Sequence, residues 1–269
     1  MNFQSKLMVR AGRKVVLSGY DPAATFGYEK GKKLKSRLEE LIRRLDKLQY
    51  LLYAENKRAL LIILQGMDAS GKDGTVRHVM SGLNPQGTRV TAFKPPSSEE
   101  ASHDFLWRVH AAVPPRGDVG IFNRSHYEDV LIARVHGLVP QSVWSRRYDQ
   151  INSFESYLAE NQVTVVKFFL HISRAEQRKR LQERIDDPAK RWKISESDFK
   201  ERRLWQDYTR AYEAVLTRCS TRVAPWYVIP ANHKWFRNLA VSHILVEILE
   251  GMHLKYPPPR IDLSKFKLQ

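Results

Sequence analysis

The stretch from Ala59 to Thr75, ALLIILQGMDASGKDGT, limits what this chain can fold into more than any other. Its continuous apolar run, Leu60 to Leu64, fits a strand buried on both faces of a parallel sheet. Gly66, four residues and then Gly71-Lys72 follow, the G-x-x-x-x-G-K spacing of a phosphate-binding loop. Glycines let backbone N–H groups wrap an anionic oxygen, the lysine adds a point charge, and the next helix contributes the positive end of its dipole. That helix is predicted from Lys72 to about Gly82, a span free of proline. The loop candidates are Gly66, Met67, Asp68, Ala69, Ser70, Gly71, Lys72, Asp73, Gly74 and Thr75. Asp73 stands where most such loops carry a Ser or Thr that holds Mg²⁺. Metal binding must then come from elsewhere, and Asp68 is the natural candidate.

Charge narrows the partner. The chain has 45 Lys+Arg against 29 Asp+Glu, a formal net charge of +16. Such a surface attracts nucleic acid, an anionic membrane or a polyphosphate. Joined to a phosphate loop, it favours a large anionic substrate. No apolar run reaches the roughly 18 residues of a membrane span. The opening MNFQSKLMVRAGRK lacks the apolar core of a signal peptide, so a cytoplasmic location is expected. Cys219 is the single cysteine, which excludes an internal disulfide and a cysteine-based zinc site; a packing role is expected.

In chain order, residues 1–28 read as an arm with at most one short strand. Leucines and Ile42 recur at three- and four-residue steps from Gly31 to Asn56, the pattern of a long amphipathic helix. Strands are predicted at Thr88–Phe93, Val119–Phe122, Val163–Ile172 and Ala224–Ile229. Helices are predicted from the Ser97/Ser98 cap to about Val113, at Val143–Glu160 and Ser173–Arg184, over Asp198–Ser220, and from the Asn232–Asn238 stretch to about His253. The second of the central strands ends in Asn123-Arg124-Ser125-His126-Tyr127-Glu128-Asp129, where wound sheets place ligands. Arg174, Arg178, Lys179, Arg180 and Arg184 give one helix a basic face. The polar, basic segment after it, about 184–200, reads as a lid, with Ser195 or Ser197 capping the next helix. A tail over 256–269 closes the chain. One α/β domain is expected: a three-layer α/β/α P-loop kinase fold, with a mostly parallel five-stranded sheet and a helical lid, built of an arm and helix (1–56), a core (57–255) and the tail.

Five stretches together resemble the polyphosphate kinase 2 family: GMDASGKDGT; HDFLWRVH at His103–His110; IFNRSHYEDVLIARVHG at Ile121–Gly137; DDPAKRWK at Asp186–Lys193; and APWYVIPANHKWFRN at Ala224–Asn238. The resemblance runs from Leu45 to the closing SHILVEILEG at Ser242–Gly251. It implies reversible, Mg²⁺-dependent phosphoryl transfer between inorganic polyphosphate and nucleotides, with Mn²⁺ as an alternative metal and guanine nucleotides as further candidates. It also implies assembly as a homodimer or homotetramer. Asn123 stands where many members carry Asp, and Glu128 replaces an Asn of members acting mainly on diphosphates. NRSHYEDVL resembles the subgroup that accepts AMP as well as ADP.

The expected roles follow. Lys72 and the loop backbone hold phosphates, and Asp68 anchors the metal and aligns the accepting oxygen. Arg124, and Arg184 with Lys193 from the lid, stabilise transition-state charge. Asn123 contacts phosphate, and Glu128 holds a water or second Mg²⁺ beside a short acceptor. Arg77, Lys94, Lys190 and Arg191 are candidates for a polyphosphate channel. Two alternatives share parts of this pattern. An ATP-dependent nucleoside monophosphate kinase similar to thymidylate kinase shares the loop and lid, but Asp73 and the +16 charge weigh against it. A nucleic-acid-binding P-loop ATPase shares the charge, but no nucleic-acid motif is present and the aromatics fall on apolar helix faces. No nucleic acid or membrane partner is expected.

Overall fold

The structure, a computed structural model, describes residues 3–262. Its helices are α1 (Phe3–Leu7), α2 (Lys32–Glu55), α3 (Lys72–Val79), α4 (Ser98–Ser102), α5 (Trp107–Ala111), α6 (Glu128–Val135), α7 (Gln141–Glu160), α8 (Arg174–Asp186), α9 (Glu196–Arg203), α10 (Trp205–Arg218) and α11 (Lys234–Gly251). Its strands are β1 (Ala59–Gln65), β2 (Thr88–Ala92), β3 (Val119–Asn123), β4 (Val163–His171) and β5 (Trp226–Pro230). The sheet runs β2-β3-β1-β4-β5, and every pairing between these strands is parallel.

All seven residues of β1 are buried because β3 and β4 flank it and helices cover both faces. That position explains its unbroken apolar run. One helical layer joins α1, α2 and α3 to α11; the other joins α6, α7 and α10. Leu34, Leu41, Leu45 and Leu52 form the buried stripe of α2, which lies on α11. Asn56 ends α2 in the left-handed region at φ 50°. Near β5 the arm adds one antiparallel bridge, Met8 with Tyr227, and the Val9 N–H donates to the Trp226 carbonyl at 2.8 Å. Among the described residues no helix is long and apolar enough to cross a membrane. Residues 1–2 of the expected arm and 263–269 of the expected tail lie outside the described residues.

Several boundaries differ from the sequence reading, each for a local reason. The helix expected up to Val113 is two short ones, α4 and α5, because Asp104 Oδ1 accepts from the Leu106 N–H at 2.9 Å and turns the chain between them. The helix expected over Asp198–Ser220 breaks at Leu204 (φ −85°, ψ 15°) into α9 and α10. Helix α3 stops at Val79 rather than Gly82. Helix α6 starts inside the second motif, with Glu128 as its first residue. Capping boxes at Ser97/Glu100 and Ser195/Asp198 start α4 and α9.

Candidate active site

The phosphate loop leaves the carboxyl end of β1 and enters α3. Gly66 has φ 152°, and a Cβ there would stand 2.7 Å from Ser70 Oγ and 2.8 Å from the Leu170 carbonyl oxygen. Lys72 folds back over the loop and donates to the Gly66 carbonyl at 2.8 Å. Burial pulls its pKa down, and the Arg124 charge adds to that against the opposing pull of Asp68.

Side chains from α8 hold the loop from outside. Gln177 Nε2 donates to the Asp68 carbonyl at 3.0 Å, and Arg180 Nη1 donates to the carbonyls of Ala69 and Ser70 at 3.0 and 2.9 Å. The other arm of Arg180 reaches the carbonyls of Ala231 and Asn232 after β5, while Nε pairs with Glu176 at 2.7 Å. Arg180 is thus buried, not part of a solvated basic face as its place in the sequence suggested. The geometry of the loop is in this way fixed by a guanidinium buried behind it.

The second motif approaches from β3. Arg124 lies in the left-handed region at φ 64°, its N–H bonded to the Leu64 carbonyl at 3.1 Å. That conformation turns its side chain across the loop, where Nη2 donates to Asp68 Oδ1 at 3.1 Å. Burial works against the Arg124 charge, but Glu128 and Asp68 outweigh it and raise its pKa. Burial also raises the Glu128 carboxyl, against the pull of Arg124 and Lys72. Asn123 Nδ2 donates to Asp73 Oδ1 at 2.7 Å, so the amide orients the carboxylate that replaces the usual Ser or Thr.

A buried ionic network backs this motif. Lys167, at the centre of β4, donates to Glu155, to Tyr127 Oη at 2.9 Å and to the Cys219 carbonyl at 2.7 Å. Glu155 also accepts from Tyr127 at 2.9 Å and lies 3.3 Å from His126 Nε2. Burial opposes the Glu155 charge, yet Lys167 and His126 hold its pKa below the ordinary value. Ser125 Oγ accepts from Gln65 Nε2 at 3.2 Å, linking the motif to the last residue of β1. Cys219 is buried against this network, its thiol pushed up to about 12 chiefly by burial, in keeping with a packing role.

Two cavities meet at Arg124. The polar one, about 500 Å³, is lined by the loop (Asp68, Ala69, Gly71, Lys72, Asp73, Gly74), by Asn123 and Arg124, by Lys94, and by Arg184, Lys190 and Lys193 of the lid segment. The other, about 520 Å³, has apolar walls from Phe93, Pro95, Phe105, Ile132 and Leu138, with Glu128 and Asp129 beside them. Phe93, Lys94, Pro95 and Arg124 are common to both. Arg147 Nη1 donates to Asp129 Oδ1 at 3.1 Å and its Cζ lies 4.8 Å from the centre of the Phe105 ring, so the polar end of the apolar cavity is a fixed pair.

The segment expected to act as a lid is tied across itself: Arg184 lies 3.8 Å from Asp198, and Lys190 2.6 Å from Asp187. His136 at the end of α6 meets Glu201 of α9 at 3.0 Å, and Tyr208 donates to the same carboxylate at 2.7 Å. The structure therefore brings Asp68, Lys72, Asp73, Asn123, Arg124, Lys94, Arg184, Lys190 and Lys193 around one space, with Glu128 on the far side of Arg124. Arg77 and Arg191 do not line it. Arg77 is exposed on α3, and Arg191 Nε donates to the Ile185 carbonyl at 2.8 Å. The inward roles of Gln177, Arg180, Arg237 and the Lys167 network escaped sequence reading, which placed Arg180 only on a basic helix face, because such a face and an apolar strand give no sign of which cation turns inward.

A divalent metal fits this donor set in one mode. Among the described residues no three acidic, His or Cys side chains cluster as a metal cage. Asp68 and Asp73 nonetheless face the polar cavity, which suits a Mg²⁺ ion held through one or two carboxylates plus phosphate oxygens and water.

Comparison with known proteins agrees with this geometry. The model of the family "Polyphosphate kinase 2" matches residues 28–257. The AMP/ADP-polyphosphate phosphotransferase of Meiothermus ruber is 52% identical over 265 residues, spanning 98% of this chain and 99% of that protein. The ADP-polyphosphate phosphotransferase of Rhodopseudomonas palustris is 45% identical over 261 residues, spanning 93% and 90%. The crystal structure of polyphosphate kinase 2 from Arthrobacter aurescens TC1 superposes with a TM-score of 0.91 at 47% identity, covering 96% of this chain and 93% of that one. With these matches over most of its length, the chain belongs to the polyphosphate kinase 2 family.

Proposed function

We propose that this enzyme transfers phosphoryl groups reversibly between inorganic polyphosphate and nucleotides, taking AMP to ADP and ADP to ATP. The observation that carries the reading is Arg124 standing in the shared wall of a polar, cation-lined cavity and an apolar one. A polyphosphate end suits the first, and a nucleoside suits the second, so donor and acceptor phosphates would meet at Arg124.

In the forward direction an oxygen of the nucleotide phosphate attacks the terminal phosphorus of the polymer. A new P–O bond forms, the terminal anhydride P–O bond breaks, and the polymer leaves one unit shorter. The attacking oxygen is already ionised near neutral pH, so positioning and charge neutralisation suffice. Lys72 and the loop N–H groups bind the donor phosphate, and Arg124 spans donor and acceptor. Arg184 and Lys193 add charge when the lid covers the cavity and excludes water. Asp68 aligns Arg124 and, with Asp73, would hold the divalent metal; Asn123 keeps Asp73 in place. The metal, proposed as Mg²⁺ with Mn²⁺ as a substitute, supplies charge neutralisation on the phosphate oxygens. Glu128, beside the apolar cavity, is the proposed determinant of AMP acceptance. Guanine nucleotides are proposed as further acceptors, and a homodimer or homotetramer as the assembly, read by light scattering. Lys94 and Lys190 would guide the polymer, with Arg77 and Arg191 farther out.

Phosphorus NMR tests the donor. Polyphosphate with ADP and Mg²⁺ should yield ATP signals as terminal polymer signals shift. Reaction of ATP with a nucleoside monophosphate, and none with polyphosphate, would favour an ordinary monophosphate kinase instead.

A further inference from the structure

Arg237 is a buried cation without a carboxylate. It is 2% exposed, and its Nε and Nη2 donate only to the neutral Asn238 Oδ1, at 3.1 and 2.8 Å. No ion pair involves it among the described residues. Two neighbours make its position worse. It lies in the first turn of α11, where the helix dipole already presents positive charge. Arg180, 5% exposed, stands close enough to join burial in pulling the Arg237 pKa down to about 10. Buried charges in folded proteins are as a rule paired, because desolvation without a partner is costly.

The direction it faces supplies a reason. A Cβ on Gly71 would stand 1.9 Å from Arg237 Nη1, and one on Gly74 3.2 Å from Nη2. These two glycines also line the polar cavity. Only backbone therefore separates the guanidinium from the space where phosphate is proposed to bind.

We propose that Arg237 is a positioning charge whose counter-ion is the polyphosphate end bound on the opposite side of Gly71 and Gly74. This rests on the reading that the loop holds polyphosphate. In the empty protein the guanidinium is a net cost; with a polyanion in the loop it becomes an attraction through a thin, poorly screened wall. A residue kept for packing or capping would behave in the opposite way, stabilising the empty protein and leaving phosphate binding alone.

The test compares wild type, Arg237→Met and Arg237→Lys by thermal unfolding, with and without sodium tripolyphosphate, and by steady-state kinetics with polyphosphate and ADP. Removing the charge should leave the Tm of the empty Arg237→Met protein equal to wild type or higher. Its tripolyphosphate-induced rise in Tm should shrink to roughly half or less. The KM for polyphosphate should climb about tenfold while that for ADP stays within about twofold. Arg237→Lys, which keeps the charge, should retain most of the phosphate response. A lower Tm or failure to fold of the empty Arg237→Met protein overturns the idea, because it shows that the charge stabilises the protein without any polyanion; so does loss of the tripolyphosphate response in Arg237→Lys. An unchanged tripolyphosphate shift and KM in a folded Arg237→Met overturn it as well. If wild type itself shows neither a tripolyphosphate shift nor polyphosphate turnover, the failure lies in the functional reading, and this proposal falls with it.

Discussion

Arg124 Nη2 donates to Asp68 Oδ1 at 3.1 Å, joining the motif at the end of β3 to the phosphate loop at the end of β1. The two strands are neighbours in register, Leu64 beside Asn123, so their carboxyl ends deliver these side chains to one point. Arg124 reaches it only because its backbone is left-handed. The pair sets where the two cavities meet.

Breaking the pair should affect chemistry more than folding. Asp68 and Arg124 are both partly exposed, so their contribution to stability is small. Asp68→Asn is expected to lower kcat by about 100-fold and raise the Mg²⁺ concentration needed for half-maximal rate, with Tm nearly unchanged. Steady-state titration of the metal reads both effects.

Lys72 carries the charge nearest the loop carbonyls. Lys72→Met keeps most of the length of the side chain and removes the charge. It should reduce kcat by about 100- to 1,000-fold, as loss of a transition-state charge contact does. Because burial holds the Lys72 pKa below its ordinary value, the ammonium is itself disfavoured in the fold, and the variant should be no less stable than wild type at neutral pH. Thermal unfolding checks the second half.

Glu128 links pH to stability with a definite sign. Its carboxyl is raised above the ordinary value by burial. A raised carboxyl contributes stability that is fully present below the unfolded pKa and lost as pH rises through the folded one. Glu128→Gln should therefore match wild type in Tm below the ordinary carboxylate range and exceed it at neutral pH. The same variant should lose AMP turnover about tenfold relative to ADP if Glu128 decides acceptor length. Melting curves across pH and paired acceptor kinetics separate the two effects.

Gly71 has a packing role besides its conformational one. Its φ is 102°, and Arg237 occupies the place a Cβ would take. Gly71→Ala should destabilise the protein by about 2 kcal/mol or more, through backbone strain and displacement of a buried guanidinium. Chemical denaturation gives that number directly.

Much of the fold was readable from the chain because one rule dominates each element. Strand β1 is apolar throughout since both its faces are covered, and α2 shows its stripe since only one face is. The break at Leu204 was not readable: apolar and aromatic residues continue across it, and no Gly or Pro marks it. The candidate site divides similarly. Gly66 to Thr75 and Asn123 to Asp129 are contiguous, so spacing reveals them. Arg180 and Arg237 lie on helices far along the chain, and their inward direction is set by tertiary packing on the loop. Lys167 is hidden for the same reason: a lysine within VTVVKFFLH looks like an intruder until Glu155 and Tyr127 are seen around it.

The central claim is that one site passes phosphoryl groups from polyphosphate to nucleotides of two lengths. Luminescence detection of ATP, with purified protein, polyphosphate and Mg²⁺, tests it with AMP and ADP as parallel acceptors. ATP from both is the predicted result, with a lag for AMP while ADP accumulates. ATP from ADP alone would contradict the role given to Glu128 and the apolar cavity, and ATP from neither would contradict the account as a whole.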